Sequence, residues 1–344
     1  MRLTLLAPEL IWPEPADQYT LGKLPVPAFE WLSSHAEFKR QPRLPFEVAL
    51  ARQFGLGDRN FGALRLLGED VSEDAVDGHW LCADPVHLRF HQERIILADA
   101  GAFDLDEEEA RALATSLNEE FADIGKFHVA TSRRWYLRLK TPVEHAAEPI
   151  SAVAGRRVDG EISDKDATLT RWLNEVQMFL HGHPVNERRQ DEGKPVINSL
   201  WLWGGGRLSR PKPGSFTAAW SNNPLAIGLA RAAGMPVHPV PAGLAETLAM
   251  ASPGTNQLVV LDNLLPAVLY EDSEGWRSTW EALESNWFLP LQKALGRQIE
   301  TLNIVAPTIY GELSWSLTGR DRWKFWRKGL PLAAMATALA EGKS

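Results

Sequence analysis

HGHPVNERRQDEGKPVINSLWLWGGG, residues 181–206, is the stretch on which the reading of this chain turns. It passes from a polar helical segment into an apolar strand, predicted over residues 199–203, and ends on Gly204, Gly205 and Gly206. Glycine lets a ligand approach the backbone closely, and successive backbone N–H groups can cradle an anion. Arg207, Arg210 and Lys212 follow at once, and such cations suit a phosphate or a carboxylate. A tight strand-to-loop turn with solvated basic residues accounts for the same letters. The loop matches neither a Walker loop nor the GxGxxG fingerprint. His181 and His183 can supply two metal ligands, but no third ligand has an evident spacing, so histidines serving a helix end are the preferred reading.

Downstream, a helix over 224–233, a strand over 237–240, a strand over 257–261, a long helix over 275–295 and a strand over 301–305 are predicted. Strand and helix alternating in this way imply a parallel, doubly wound sheet. Upstream, Leu169, Trp172, Leu173, Val176, Phe179 and Leu180 fall on one face of a helix. Before it, residues 141–165 read as a loop or a domain boundary. Strands over 85–90 and 94–97, a helix opened by the acidic run 104–109, and strands over 126–130 and 135–139 describe an antiparallel sheet with a helix on one face. The first 45 residues carry seven prolines and read as an extended lead-in with a short helix over 29–36. Short helices over 46–54 and 60–67 follow.

A chain of 344 residues, 44% hydrophobic and 23% charged, is ordinary globular material long enough for about two domains. Its formal charge of −8, from 36 basic and 44 acidic residues, argues against broad nucleic-acid binding. The single cysteine, Cys82, excludes a disulfide framework and a Cys-rich zinc site, so a cytoplasmic location is expected. The apolar run at the amino terminus is too short for a signal-peptide core, and no stretch approaches the roughly 20 apolar residues of a span. The most apolar segment, residues 329–340, is interrupted by Pro331 and reads as a packed terminal helix. Neither a nucleic acid nor a membrane is expected as a partner.

Two further clusters carry chemistry on paper. His79, His87 and His91 lie near Asp84 and Asp99, where a metal site competes with a plain core or surface reading. RDRWKFWRK, residues 320–328, interleaves five basic residues with Trp323, Phe325 and Trp326; such a segment suits stacked bases or an anionic lipid surface, but the acidic overall charge favours cation stems packed on tryptophan, and it stands as a partner-docking candidate. No GxSxG elbow is present, and Cys82 has no evident activating neighbour. The composition gives no reason for 14 tryptophans against 4 tyrosines beyond packing area.

At HPVNERR and GKPVINSLWLWGGG the chain resembles the 2,3-bisphosphoglycerate-independent phosphoglycerate mutases, especially their archaeal-type branch. The likeness continues through GLARAAGMPVHPV, residues 228–240. It is also similar to the bacterial RpfE-type regulatory proteins, through WLCADPVHLR at 80–89, residues 109–121 and RWYLRL at 134–139. The resemblance implies an α/β fold, an alkaline-phosphatase-like doubly wound sheet of residues 1–74 and 166–344, with an inserted smaller α+β domain, residues 75–165. It also implies a serine phosphorylated beside two divalent metals held by Asp and His residues.

Several family positions are filled differently. Pro8 and Glu9 stand where an amino-terminal Asp is expected, residues 258–275 hold Asp262 and Asp272 but no histidine, and residues 303–315 lack an Asp-His pair. No histidine follows His238, and residues 95–103 contain no arginine. His183, Asn186, Arg189, Asn198, Gly204, Gly205 and Gly206 match the pattern and, by the resemblance, line or brace a cleft. With Arg207 they are the candidate phosphate or carboxylate ligands; no metal, no cofactor and no catalytic residue is assigned. The expected function is regulatory or ligand-sensing, with a small phosphorylated metabolite or a protein as partner. The alternatives are an active mutase or other phosphotransferase with a site rearranged around His79, His87, His91 and Asp84, and an interaction scaffold using the tryptophan-rich carboxyl-terminal third.

Overall fold

From Leu3 onward every residue of the opening strand β1 (Arg2–Leu6) is buried, as befits a strand covered on both faces. The computed structural model describes residues 1–69, 71–72, 76–91, 94–143, 147–156, 158, 167–211, 214 and 216–342. In it β1 belongs to a unit made of Met1–Gly55 and Lys212–Ser344. After β1 come α1 (Gln18–Leu21), α2 (Pro27–His35), β2 (Glu37–Gln41) and α3 (Phe46–Gln53).

Leu56–Pro211 forms the second unit. It begins with α4 (Phe61–Leu67), β3 (His79–His91), β4 (Arg94–Asp99) and α5 (Glu107–Glu120). The acidic run opens α5 through a reciprocal cap, in which the Asp106 side chain accepts from the Glu109 N–H and the Glu109 carboxylate accepts from the Asp106 N–H. Next are β5 (Gly125–Thr131), β6 (Arg134–Leu139), α6 (Ile150–Val153), α7 (Ala167–His181), α8 (Pro184–Asp191) and β7 (Ser199–Gly206). β3 pairs antiparallel with β4, with β6 and with β7, and β6 pairs antiparallel with β5. Leu113 and Leu117 of α5 join Trp172, Val176 and Leu180 of α7 in the core over this sheet.

Two expectations are corrected here. The strand at 199–203 is not part of the parallel sheet: it is β7, running from Val86 to Trp80 of β3 in an antiparallel ladder. That pairing carries α4, α7 and α8 into the second unit as well, so the boundaries fall at 55/56 and 211/212 rather than at 74/75 and 165/166. An apolar run buried on both faces looks the same in either kind of sheet, and only the partner strand tells them apart.

A buried ion pair lies at the crossing of these elements. Arg65 of α4 meets Asp84 of β3 in a two-pronged contact, Nη1 to Oδ2 at 2.9 Å and Nη2 to Oδ1 at 2.6 Å. The Trp203 indole of β7 donates to the same carboxylate at 2.8 Å, and the Trp135 N–H of β6 donates at 3.3 Å. The guanidinium also sits 4.7 Å from the Tyr136 ring centre and 5.0 Å from that of Trp203.

The first unit resumes with β8 (Ala218–Trp220), α9 (Pro224–Ala232), β9 (Val237–His238), α10 (Leu244–Met250) and β10 (Asn256–Val260). It ends with α11 (Leu264–Leu269), α12 (Ser273–Leu283), α13 (Leu289–Ala294), β11 (Thr301–Thr308), β12 (Gly311–Thr318) and α14 (Leu332–Ala340). The strand order is β2-β12-β11-β1-β10-β8-β9. β1, β8, β9, β10 and β11 are parallel, and β12 and β2 complete one edge antiparallel. β2, β8 and β12 are strands the sequence reading did not separate. Leu3 and Leu5 face a core shared with α2, α12, α13 and α14. Period-two alternation turns Thr4 and Leu6 to the other face, and α9 packs on β8 and against α3.

The predicted helix over 275–295 is broken by one π turn, Glu284–Phe288. Its Glu284 carboxylate accepts the N–H groups of Ala28 at 2.5 Å and Phe29 at 3.2 Å, closing the start of α2, where Val26 offers no side-chain cap. Among the described residues no helix is long and apolar enough to cross a membrane.

Asp84→Ala leaves Arg65 charged and buried without its counter-ion. The expected loss is about 3–5 kcal/mol of stability, read as a lowered midpoint in urea unfolding; an unchanged midpoint would remove the pair from the list of structural determinants.

Candidate functional site

In an open parallel sheet, ligands bind beyond the carboxyl ends of the strands. In the first unit that edge carries Glu9 after β1, Ser221 to Asn223 after β8, His238 at the end of β9 and Asp262 after β10. Glu9 adopts a left-handed backbone, φ 58°, a costly conformation for a residue with a Cβ. It is held there from both sides: its N–H donates to the Pro307 carbonyl at 2.9 Å, and its carbonyl accepts the Trp276 indole N–H at 3.0 Å. The side chain is buried, and Oε2 has no hydrogen-bond partner. Burial pushes the carboxyl up to about 8, against the opposing pull of the Arg43 charge. The Tyr310 hydroxyl, which donates to Pro13 at 2.8 Å, is pushed up to about 12 by burial and by the nearby Glu9.

The other strand ends are equally committed. Asn223 caps α9, a role signalled in the sequence by the proline that follows it, and its amide donates to Asp262 Oδ2 at 2.8 Å. Burial raises the Asp262 carboxyl, while the Asn223 hydrogen bond lowers it. His238 packs on Trp220, ring centres 4.7 Å apart. Glu312 of β12 is buried, with Oε1 3.3 Å from Arg52 and Oε2 unpaired, and burial raises it too.

One carboxylate at this edge holds an amide donor, another is buried and favours its proton, and the sequence offers no histidine after His238. Among the described residues no group of three or more His, Cys, Asp or Glu side chains is arranged to hold an ion.

In the second unit the matched residues form a brace. His183 is the N-cap of α8: its Nδ1 accepts the Val185 N–H at 3.2 Å, which leaves the proton on Nε2, 3.0 Å from the Ser116 hydroxyl. Burial lowers its pKa, and the Arg188 charge adds to that. Asn186, fully enclosed, donates to the Leu180 and Ile197 carbonyls at 2.7 and 2.8 Å and accepts the Ile197 N–H at 2.8 Å. Arg189, 1% exposed, donates to Pro195 O at 2.8 Å, Asp104 O at 2.6 Å and Glu109 Oε2 at 2.6 Å. Asn198 exchanges two hydrogen bonds with the Leu88 backbone, at 2.7 and 2.8 Å.

These four were expected as phosphate or carboxylate ligands. Asn186, Arg189 and Asn198 each donate to protein acceptors within this unit, and His183 turns its one N–H toward the Ser116 hydroxyl. The glycines serve packing as well. A Cβ on Gly204, where φ is +66°, would stand 2.9 Å from Phe61 Cβ, and one on Gly206 would stand 2.3 Å from Asn60 Cγ. They let β7 lie close on α4. Gly205 is half-buried and Arg207 exposed, its nearest carboxylate being Asp77 at 4.0 Å.

Among the described residues, His79, His87 and Asp84 form no metal-holding group. Asp84 is taken by Arg65, Trp203 and Trp135, His87 Nδ1 lies 2.9 Å from the Val196 carbonyl, and Asp84 and His87 have opposite parity on β3. The His91 side chain and the whole of Lys212 lie outside the described residues. Beside the brace, an open hollow of about 610 Å³ is bordered by Ser116, Glu119, Phe179, His183 and Arg188. Arg65 was not anticipated; a basic residue inside an apolar helical run, FGALRLL, is the signal that marks it.

No protein-family model matches the chain. It is 33% identical over 168 residues to the 2,3-bisphosphoglycerate-independent phosphoglycerate mutase of Pyrococcus horikoshii, covering 42% of this chain and 39% of that protein. The same-named protein of Methanosarcina barkeri is 28% identical over 203 residues, 54% of this chain and 49% of that one. The match therefore spans less than half the length of these curated relatives. The solved structure of the PH0037 protein from Pyrococcus horikoshii superposes with a TM-score of 0.58 at 15% identity, over 96% of this chain and 91% of that one. The chain is thus a distant relative of the archaeal-type cofactor-independent phosphoglycerate mutases, with the expected phosphatase-like α/β sheet and inserted α+β unit.

Two outcomes follow from this geometry. Glu9 holds its proton in the folded chain to about pH 8 but ionises near 4.5 when unfolded, so its contribution to stability is complete below the unfolded value and lost as pH rises through the folded one. Glu9→Gln removes that dependence: the fall in melting temperature between pH 5 and 9 flattens in the variant, and parallel curves for the two proteins would contradict the assignment. Arg189→Ala frees the Glu109 carboxylate and the Asp104 and Pro195 carbonyls. It should cost about 3 kcal/mol in chemical unfolding, with loss of amide-exchange protection at the start of α5.

Proposed function

We propose that this protein is a phosphoglycerate-mutase-like chain without dimetal phosphoryl transfer, acting as a regulatory or ligand-sensing protein, in keeping with its likeness to the RpfE-type group. The observation that supports this most directly is Glu9, the residue standing where the resemblance expects a metal-binding aspartate. It is buried, pinned between Pro307 and Trp276, and biased toward its neutral form. A buried neutral carboxyl is a poor ligand for a divalent ion, since metal ligands must be deprotonated. Phosphoryl transfer on such a scaffold relies on the metals both to activate the nucleophile and to stabilise charge.

For the sensing role, the hollow beside His183 is the natural place for a small anion. Arg188 supplies a guanidinium at its border and Ser116 a hydroxyl, while Glu119 on the same border favours a ligand that also carries a cationic or hydroxylic group. His183 itself keeps its place as the cap of α8.

The test is an assay of 3-phosphoglycerate and 2-phosphoglycerate interconversion with manganese supplied, beside elemental analysis of the purified protein. Neither turnover nor two tightly held divalent ions per chain is expected. Turnover abolished by a chelator would refute the reading. Calorimetric titration with 3-phosphoglycerate then addresses sensing: saturable heat lost in Arg188→Ala supports the hollow, and heat unaffected by that change moves the ligand elsewhere.

A further inference from the structure

Of the eight large apolar side chains that stand exposed among the described residues, four fall within residues 323–330: Trp323 at 77%, Phe325 at 85%, Trp326 at 67% and Leu330 at 44%. The stretch leading into them, residues 320–328, holds five basic residues against one acidic, in a chain whose formal charge is −8. Cations and rings play separate parts. Arg322 donates to the Leu295 carbonyl at 3.1 Å, Lys324 to His35 O at 3.2 Å and Arg327 to Ser34 O at 3.3 Å. Three basic side chains thus tie the segment to the end of α2 and to the residue after α13, while the rings are left in solvent.

What covers such rings follows from their exposure. A side chain more than two-thirds exposed is open on most of its sides, and a protein partner would have to present a fitted pocket to each of three. A lipid headgroup layer is liquid and closes around a projecting ring with no prior shape. Tryptophan, phenylalanine and flanking Lys or Arg are the residue types that lie at that layer. Phe325 and Trp326 meet edge to face, 5.3 Å apart at 79°, which offers no flat platform for stacking successive bases. The chain that follows, residues 329–340, contains no charged residue, so no ionised side chain in it opposes approach to a less polar phase.

We propose that residues 320–330 dock this unit peripherally on an anionic lipid surface, with Trp323, Phe325 and Trp326 entering the headgroup layer and the basic residues supplying attraction. The net negative charge of the chain does not forbid this, because fields reaching beyond about 8 Å are screened at physiological ionic strength. The sequence-based expectation of no membrane partner rests on the missing span, and a surface contact needs none. The inference is independent of the function proposed above.

The test is co-sedimentation with phosphatidylcholine vesicles carrying phosphatidylserine as a minor component, beside vesicles of phosphatidylcholine alone. The protein should pellet with the anionic vesicles only and be released by high salt. The double variant Trp323→Ala, Trp326→Ala should lose about tenfold or more in partitioning while keeping its melting temperature, since both rings are exposed. Brominated lipid should quench a fraction of the tryptophan emission that is absent from the double variant. No pelleting at millimolar lipid overturns the proposal, and so does pelleting untouched by the double variant and by Phe325→Ala. A concentration-dependent dimer dispersed by the double variant, with no vesicle binding, would assign the face to a second copy and equally overturn it.

Discussion

Five residues at the amino terminus hold the first unit together. β1 lies between β10 and β11 and pairs in parallel with both, Arg2 beside Asn256 on one side and Thr301 on the other. Its Leu3, Leu5 and Leu6 are wholly buried. Parallel neighbours cannot be reached by a hairpin, so these hydrogen bonds close only when the chain returns from the second unit. Closure entropy grows slowly with loop length, which is why Leu56–Pro211 can occupy that excursion and fold around a core of its own.

Within the second unit, polar groups placed in the interior decide which element meets which. Arg65 and Asp84 join α4 to β3, and Trp203 and Trp135 bring β7 and β6 to the same carboxylate. Arg189 does the same for α8, the start of α5 and the lead-in to β7. Such groups are tolerated only when every charge is answered, and that requirement gives the contacts direction where apolar packing has little.

The tryptophans have a similar logic in the first unit. Trp276 and Trp280 of α12 donate to the carbonyls of Glu9 and Leu10, fixing the turn after β1 with indole N–H groups. Trp12, Phe29, Phe288 and Trp315 pack on this pair and on one another at ring distances of 5.0 to 5.5 Å. An indole satisfies a backbone acceptor and fills volume at once, which a tyrosine or leucine at the same place would do less completely. The turn after β1 is thereby fixed, and Glu9 within it takes its raised pKa from burial.

Much of this architecture was legible in the letters. Strand and helix alternation after residue 216, the acidic opening of α5 and the apolar face of α7 follow from local periodicity and end charges, which depend only on near neighbours in sequence. Pairing partners were decided only in three dimensions: SLWLWGGG reads as a strand of either sheet, and its ladder with β3 places it and moves both domain boundaries. The hydrogen-bond partners of His183, Asn186, Arg189 and Asn198 were decided there too. A sequence fixes which polar groups a residue carries, while the acceptors that fold against them determine whether any donor is left for a ligand.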